Sequence, residues 1–195
     1  KKSLDPHFKV VLTRESGKAV DFSRLSRMPA PSAKRTLYAR PAIANAVGCS
    51  AFVAIHHDST SANNKMTEPN LCTDANGSQK PGLKLKPEFM SRYKVGYNVF
   101  VTQSKRPTLH EKESLRLATV IARRIKEMGR TPSDYHAKVR DCPTCRDIIP
   151  ELGVMHQGLA VLRLAKCPAI LIEVGNVIDP ADEKLVRSAE FRSRF

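Results

Sequence analysis

Two continuous apolar runs, Ala51–Ile55 and Ala169–Ile172, constrain the fold of this chain more than any other feature. A strand with one buried face alternates apolar and polar residues, whereas these runs stay apolar at successive positions and so predict strands buried on both faces. Both are far shorter than the roughly 20 residues of a membrane-spanning helix, so no transmembrane segment is expected. The sequence therefore predicts an α/β fold whose sheet is covered by helices on both faces.

The rest of the chain supplies further strands and the covering helices. Lys9–Arg14 and Tyr97–Thr102 are short β-branched or aromatic segments typical of strands. Helical patterns and capping residues predict helices at Ser32–Val47, at Glu111–Met128 and from Asp179-Pro180 onward. Pro41 should kink or restart the first of these helices. A length of 195 residues is consistent with a single domain, residues 1–195.

Two segments break the alternation of strands and helices. Residues 60–94 are rich in Ser, Asn, Lys, Pro and Gly, which predicts a long insertion loop. Residues 130–157 contain Pro, Cys and His and also read as irregular. Long loops in α/β folds often surround the functional site, although solvated loops without a function are also common.

Polar side chains follow the first apolar run directly. His56, His57 and Asp58 stand at the end of the strand predicted from Ala51–Ile55. In open α/β sheets ligands collect beyond the carboxyl ends of the strands, and histidine is the commonest metal ligand. These residues therefore predict a metal or ligand site, with a pair of hydrogen-bonded histidines capping the strand as the alternative.

Glu173 interrupts the second apolar region, in the sequence AILIEVG. A carboxylate in such a strand is costly unless it is paired, bound to metal or protonated, and desolvation should raise its pKa toward neutrality. It is then suited to act as a general base, while an ion pair with an arginine is the alternative. With His56, it predicts a hydrolase in which zinc activates a water molecule.

Five cysteines occur at positions 49, 72, 142, 145 and 167. Cys142 and Cys145 have CxxC spacing, which favours a local disulfide formed in an oxidising compartment. The alternatives are a redox centre and a zinc site completed by His136 and His156.

The chain is strongly basic, with 33 Lys and Arg against 19 Asp and Glu and a formal net charge of +14. Such a charge indicates a polyanionic partner, either nucleic acid or an anionic envelope or wall surface, or simply a soluble basic surface. The basic residues are scattered along the chain without a nucleic-acid-binding motif, so no nucleic-acid partner is expected.

Four segments together resemble a known family. VVLTRES, RPAIANAVGCSAFVAIHHDS, GYNVFV and LAVLRLAKCPAILIEVGNVIDPADE occur here in the same order as in the zinc-dependent N-acetylmuramoyl-L-alanine amidases of bacterial cell walls. The resemblance implies a twisted, mostly parallel sheet flanked by helices. It also implies a periplasmic or extracellular hydrolase that cleaves the amide between N-acetylmuramic acid and L-alanine of the peptidoglycan stem peptide.

The resemblance transfers roles to particular positions. His56 matches the strand-end zinc ligand of the family, and Glu173 matches its catalytic glutamate. Substrate contacts are expected from His57, Asp58, His136, Arg146 and Arg163. Zinc is the implied cofactor and peptidoglycan the implied partner, with anionic wall polymers or lipids attracted by the positive charge.

One departure from the family leaves another function open. Family members carry a strand with an Asp-Pro-Gly-His motif and a helix with a glutamate ligand before the segment that resembles VVLTR. Both are expected to be absent here, because His7 stands too close to that segment for a helix to intervene. Two alternatives to the enzyme follow: a non-catalytic wall-binding or regulatory module on the same fold, and a nucleic-acid binder.

Overall fold

The computed structural model describes residues 9–15, 18–19, 33–58, 67–73, 78–85, 96–134, 136, 145–176 and 179–195. Its strands are β1 Arg14–Glu15, β2 Lys18–Ala19, β3 Phe52–Asp58, β4 Thr67–Thr73, β5 Gln79–Leu85, β6 Asn98–Val101, β7 Arg146–Ile149, β8 Val154–His156 and β9 Ala169–Asn176. Its helices are α1 Ala33–Ala46, α2 Leu109–Glu127, α3 Ala160–Arg163, α4 Pro180–Arg187 and α5 Ala189–Arg194, with a 3₁₀ turn at Pro150–Leu152. None of the helices in these ranges has the length and apolar character needed to span a membrane.

A five-stranded sheet in the order β3-β9-β6-β8-β7 forms the centre of the molecule. The pairs β3–β9 and β6–β8 are parallel, whereas β6 runs antiparallel to β9 and β7 antiparallel to β8. The carboxyl ends of β3 and β9 therefore share one edge of the sheet with the amino ends of β6 and β8. The predicted α/β sheet is confirmed, and this edge is where the polar residues of β3 and β9 meet.

Helices pack on both faces of the sheet. Successive side chains of each strand point to opposite faces, so each strand can contribute to both layers. On one face, α2, α4 and α5 pack on the strands through Ala118, Ala122, Ile125, Val186 and Phe191, which contact Val99, Ile170, Ile172 and Val174. On the other face, α1 and α3 pack through Ala44, Val161 and Leu162 on Phe52, Ala54, Phe100 and Leu171. The continuous apolar run of β9 is explained by this double packing. In β3 only Phe52 and Ala54 are buried, whereas Val53 and Ile55 are 46% and 57% exposed, so the prediction that this strand is buried on both faces was wrong.

The helices begin and end where their capping residues predict. Thr108 and Glu111 form a reciprocal capping box at the start of α2, and Asp179 caps α4 by accepting from the Asp182 amide. Gly48, with a φ of 61°, follows the end of α1. Pro41 does not restart α1, which runs through it as one helix from Ala33 to Ala46.

Three further predictions of local structure were wrong. Val10, Val11 and Leu12 are exposed and not in a strand; of the predicted strand Lys9–Arg14 only Arg14 pairs, as part of β1 with β2. The expected loop at 60–94 contains the β4–β5 hairpin, and 130–157 contains β7 and β8. The hairpin was not predicted because Pro69 and Pro81 disfavour strands in a sequence. A two-stranded sheet tolerates both prolines because both of its strands are edges.

A disulfide joins Cys49 and Cys167, which precede β3 and β9. Their Cα atoms are 6.2 Å apart although 118 residues separate them in sequence. Asn45 reinforces the same junction, since its side chain donates to the Leu164 carbonyl and accepts from the Lys166 amide. Cys145 is disulfide-bonded to a cysteine whose side chain is not described, and the predicted partner Cys142 lies outside the described residues.

Candidate active site at the end of β3 and β9

His56 and Glu173 are direct neighbours across two parallel strands. His56 of β3 is in register with Glu173 of β9, and both are partly buried. Alternation along the strands places them on the sheet face that carries Phe52 and Leu171, below the α1–α3 layer. The strand-end histidine and the glutamate within the apolar strand therefore meet at one place in the fold.

Burial controls the protonation of Glu173. Two causes raise the pKa of Glu173 from 4.5 to about 8: desolvation is the larger one, and the nearby negative charge of Asp58 is the second. The Oε2 atom of this carboxyl is buried and has no hydrogen-bond partner among the described residues. A carboxyl with these properties is protonated or ionised with similar ease near neutral pH, which is the requirement for a general base.

Asp58 and His136 form the side of the site next to Glu173. Nε2 of His136 lies 2.8 Å from Oδ2 of Asp58, which makes an ion pair whenever the imidazole is protonated. The imidazole also packs edge-on against the ring of Phe100, with centroids 5.1 Å apart. Phe100 is buried in β6, so this contact attaches His136 itself to the sheet.

The other predicted site residues lie elsewhere. His57 is exposed on the opposite face of β3, beside Val53 and Ile55. Arg163 is exposed at the end of α3, on the amino-terminal side of β9. Arg146 is paired with His156, at the carboxyl ends of β6 and β8, and donates to the Gln103 carbonyl. The structure thus groups His56, Asp58, His136 and Glu173, and separates Arg146, Arg163 and His57 from them.

Asn98 is a neighbour of the site that the sequence analysis missed. It is in register with Glu173 on β6 and is buried, and its amide nitrogen donates to the Ser133 carbonyl at 2.9 Å. Asn98 therefore holds the backbone at Ser133. An asparagine between the apolar residues of YNVFV was the available signal, of the same kind as Glu173 in its own strand.

A zinc site can be only partly assembled from the described side chains. Within the described ranges there is no group of three or more His, Cys, Asp and Glu side chains placed to hold a metal ion. His56 fits as one ligand, and Glu173, with its unsatisfied oxygen, fits as the base beside it. A structural zinc site needs four ligands and a catalytic one three plus water, so no chemical step is derived through the metal from these residues.

A scan against protein-family models matches residues 1–195 to the family described as N-acetylmuramoyl-L-alanine amidase. The fold is also similar to the amidase Ami1 of Mycobacterium smegmatis, with 20% identity and a TM-score of 0.57 over 94% of this chain and 60% of that one. Ami1 of Mycobacterium abscessus is 21% identical, with a TM-score of 0.52 over 81% of this chain and 55% of that one.

The catalytic domain of the amidase CwlV from Bacillus (Paenibacillus) polymyxa var. colistinus is 16% identical, with a TM-score of 0.51 over 97% of this chain and 67% of that one. Among curated proteins, no significant match was found. The sheet, the strand-end pair and the family match together define the class of protein: this chain belongs to the N-acetylmuramoyl-L-alanine amidase family. It spans about 60% of the length of the M. smegmatis structure.

Proposed function

We propose that this chain is a peptidoglycan hydrolase that cleaves the amide between N-acetylmuramic acid and L-alanine of the stem peptide. Membership in the amidase family supports the reaction, and Glu173 is the observation that carries it. Its carboxyl lies beside His56, has an oxygen without a hydrogen-bond partner in the described part of the chain, and has a pKa raised to about 8.

Glu173 acts in this proposal as the general base. It takes a proton from the water that attacks the amide carbonyl and then gives a proton to the departing nitrogen of L-alanine. Proton transfer by such a group contributes typically ~100- to 10,000-fold in rate, or about 3–5 kcal/mol of barrier. Asp58 and His136, which contact each other beside Glu173, are proposed to line the substrate side of the site.

Zinc is the proposed cofactor, with His56 as one of its ligands. The remaining ligands would come from side chains outside the described set, since the described ones form no complete group. When bound, zinc lowers the pKa of a coordinated water and polarises a carbonyl oxygen. His56→Ala should lower the zinc content of the purified protein, and an unchanged content would remove His56 from the ligand set.

The surroundings proposed for the enzyme are the periplasm or the cell exterior. A disulfide between Cys49 and Cys167 persists in oxidising compartments, which supports this location. The net charge of +14 supports attraction to anionic wall polymers or lipids, and salt should weaken it because screening shortens the reach of surface charges.

Mass spectrometry of digested peptidoglycan tests the proposal. The wild-type chain with added zinc should release stem peptides that begin with a free L-alanine amine, and a chelator should prevent the release. Glu173→Gln should keep the fold and the zinc content while hydrolysis falls to background. Full activity of this variant would exclude Glu173 as the base.

A non-catalytic wall-binding module is the second candidate function. It is favoured by the incomplete ligand group among the described residues. Sedimentation of the chain with insoluble peptidoglycan, without release of any stem peptide in the presence of zinc, would support this function over the enzyme.

A further inference from the structure

Strand β9 continues past the point where its neighbours can pair with it regularly. Asn98, the first residue of β6, is in register with Glu173, so no residue of β6 stands opposite Val174 or Asn176. On the other side β3 stays paired, with Asp58 opposite Asn176, but its register shifts between His56 and Asp58. The segment directly after Glu173 therefore lacks a regular sheet ladder just where the proposed base must be held.

A buried ion pair binds the backbone of this irregular segment. Nη2 of Arg130 donates to the Val174 carbonyl at 3.0 Å, and Oδ2 of Asp182 accepts from the Asn176 amide at 3.0 Å. Nη1 of Arg130 and Oδ1 of Asp182 are 2.6 Å apart, and each side chain is only 7% exposed. The pair thus binds the backbone on both sides of Gly175.

Gly175 lets the ion pair approach this closely. A Cβ atom at this position would lie 3.0 Å from Oδ2 of Asp182 and 3.1 Å from Nη2 of Arg130. A side chain at this position would require Asp182 and Arg130 to move by a few tenths of an ångström. Asp182 is itself fixed, because its amide donates to Oδ1 of Asp179 at the start of α4.

A contribution to the stability of the fold does not by itself explain why this buried ion pair is present. Desolvating two charges costs several kcal/mol per ion, and apolar residues of similar volume often replace a buried pair without loss of stability. A geometric role fits the contacts better. Glu173 directly precedes Val174, so the way the backbone is held there sets the position from which its side chain extends.

We propose that Arg130 and Asp182 are positioning residues for Glu173: they anchor the backbone of Val174 and Asn176, where β6 has ended and the ladder with β3 is irregular, and so hold the proposed base beside His56. This inference rests on the proposed function only for its kinetic consequence. The anchoring of the strand end can be measured whether or not the chain hydrolyses peptidoglycan.

The test compares three variants with the wild-type chain. Arg130→Met/Asp182→Leu removes both charges together and with them both backbone contacts. Arg130→Lys keeps the charge but not the forked geometry, and is a second variant in case the double one fails to fold. Ser114→Ala is the matched control, because Oγ of Ser114 accepts from the Ala169 amide at 2.8 Å and so anchors the opposite end of the same strand.

Two readouts are expected to separate the variants. Amide hydrogen exchange at Asn176 should accelerate at least tenfold in the double variant, and less in Arg130→Lys, while Ser114→Ala leaves it unchanged. In assays on a soluble muramoyl peptide, kcat should fall at least tenfold in the double variant with KM unchanged, whereas Ser114→Ala should retain its kcat at temperatures where it is folded.

The outcomes distinguish the two proposals. Unchanged exchange at Asn176, or a kcat loss in Ser114→Ala equal to that of the arginine variants, would overturn the positioning role. Faster exchange in a chain whose wild type releases no product would refute the proposed hydrolase and leave the anchoring of the strand intact.

Discussion

Glu173 makes the stability of the metal-free protein depend on pH in a defined direction. Because its pKa is raised from 4.5 to about 8 in the folded chain, the native state retains a proton there that the unfolded state has lost. The contribution of this group to stability is therefore full below about pH 4.5 and is lost as pH rises through about 8.

Glu173→Gln should remove this dependence. The variant should have a higher melting temperature than the wild type at pH 9, where the wild type buries a charge, and nearly the same melting temperature at pH 4. Thermal unfolding followed by circular dichroism in the presence of a chelator measures both. A gap of the same size at the two pH values would contradict the raised pKa.

Asp58→Asn should lower the pKa of Glu173, because the charge of Asp58 is the second cause of its upward shift. The double variant Asp58→Asn/Glu173→Gln is the reference for Asp58→Asn. The pH range over which Glu173 loses its contribution to stability should lie lower in Asp58→Asn than in the chain that retains Asp58. Asp147→Asn, which removes an exposed acid from β7, is the control and should leave that range in place.

At the scale of single elements, the sequence was informative where the signal is local. Thr108, Glu111 and Gly48 lie within a few residues of the helix ends that they define, so α1 and α2 could be predicted. The antiparallel junction of β6 with β9 could not, because strand order depends on contacts between segments far apart in sequence. For the same reason His56 and Glu173 were found from their strand ends, whereas the Arg130–Asp182 pair, 52 residues apart, was not.

The capping box of α2 should contribute measurably to the free energy of unfolding. Oγ1 of Thr108 accepts from the Glu111 amide, and Oε2 of Glu111 accepts from the Thr108 amide. Thr108→Ala should lower the free energy of unfolding by about 0.5–2 kcal/mol, measured by urea denaturation. Thr119→Ala removes a hydroxyl that bonds only the Leu115 carbonyl within the helix, and a loss as large there would argue against the capping role.

At the scale of the whole molecule, the Cys49–Cys167 disulfide closes a long loop. Replacing both cysteines with alanine should reduce the free energy of unfolding by about 2–5 kcal/mol, because the unfolded chain regains the freedom that the link removes. Chemical denaturation under non-reducing conditions measures the change. An unchanged midpoint would mean that Asn45 and the packing of α1 on α3 suffice to hold the two strands together.

The same bond has a consequence for resistance to proteolysis. Residues 49–167 form a covalent ring that includes β3, the β4–β5 hairpin and α2, while Glu173 follows just beyond it. A protease that cuts once inside this ring, for instance between β4 and β5, leaves both fragments joined through sulfur. His56 and Glu173 would stay on one molecule after such a cut, and only a reductant would release the pieces.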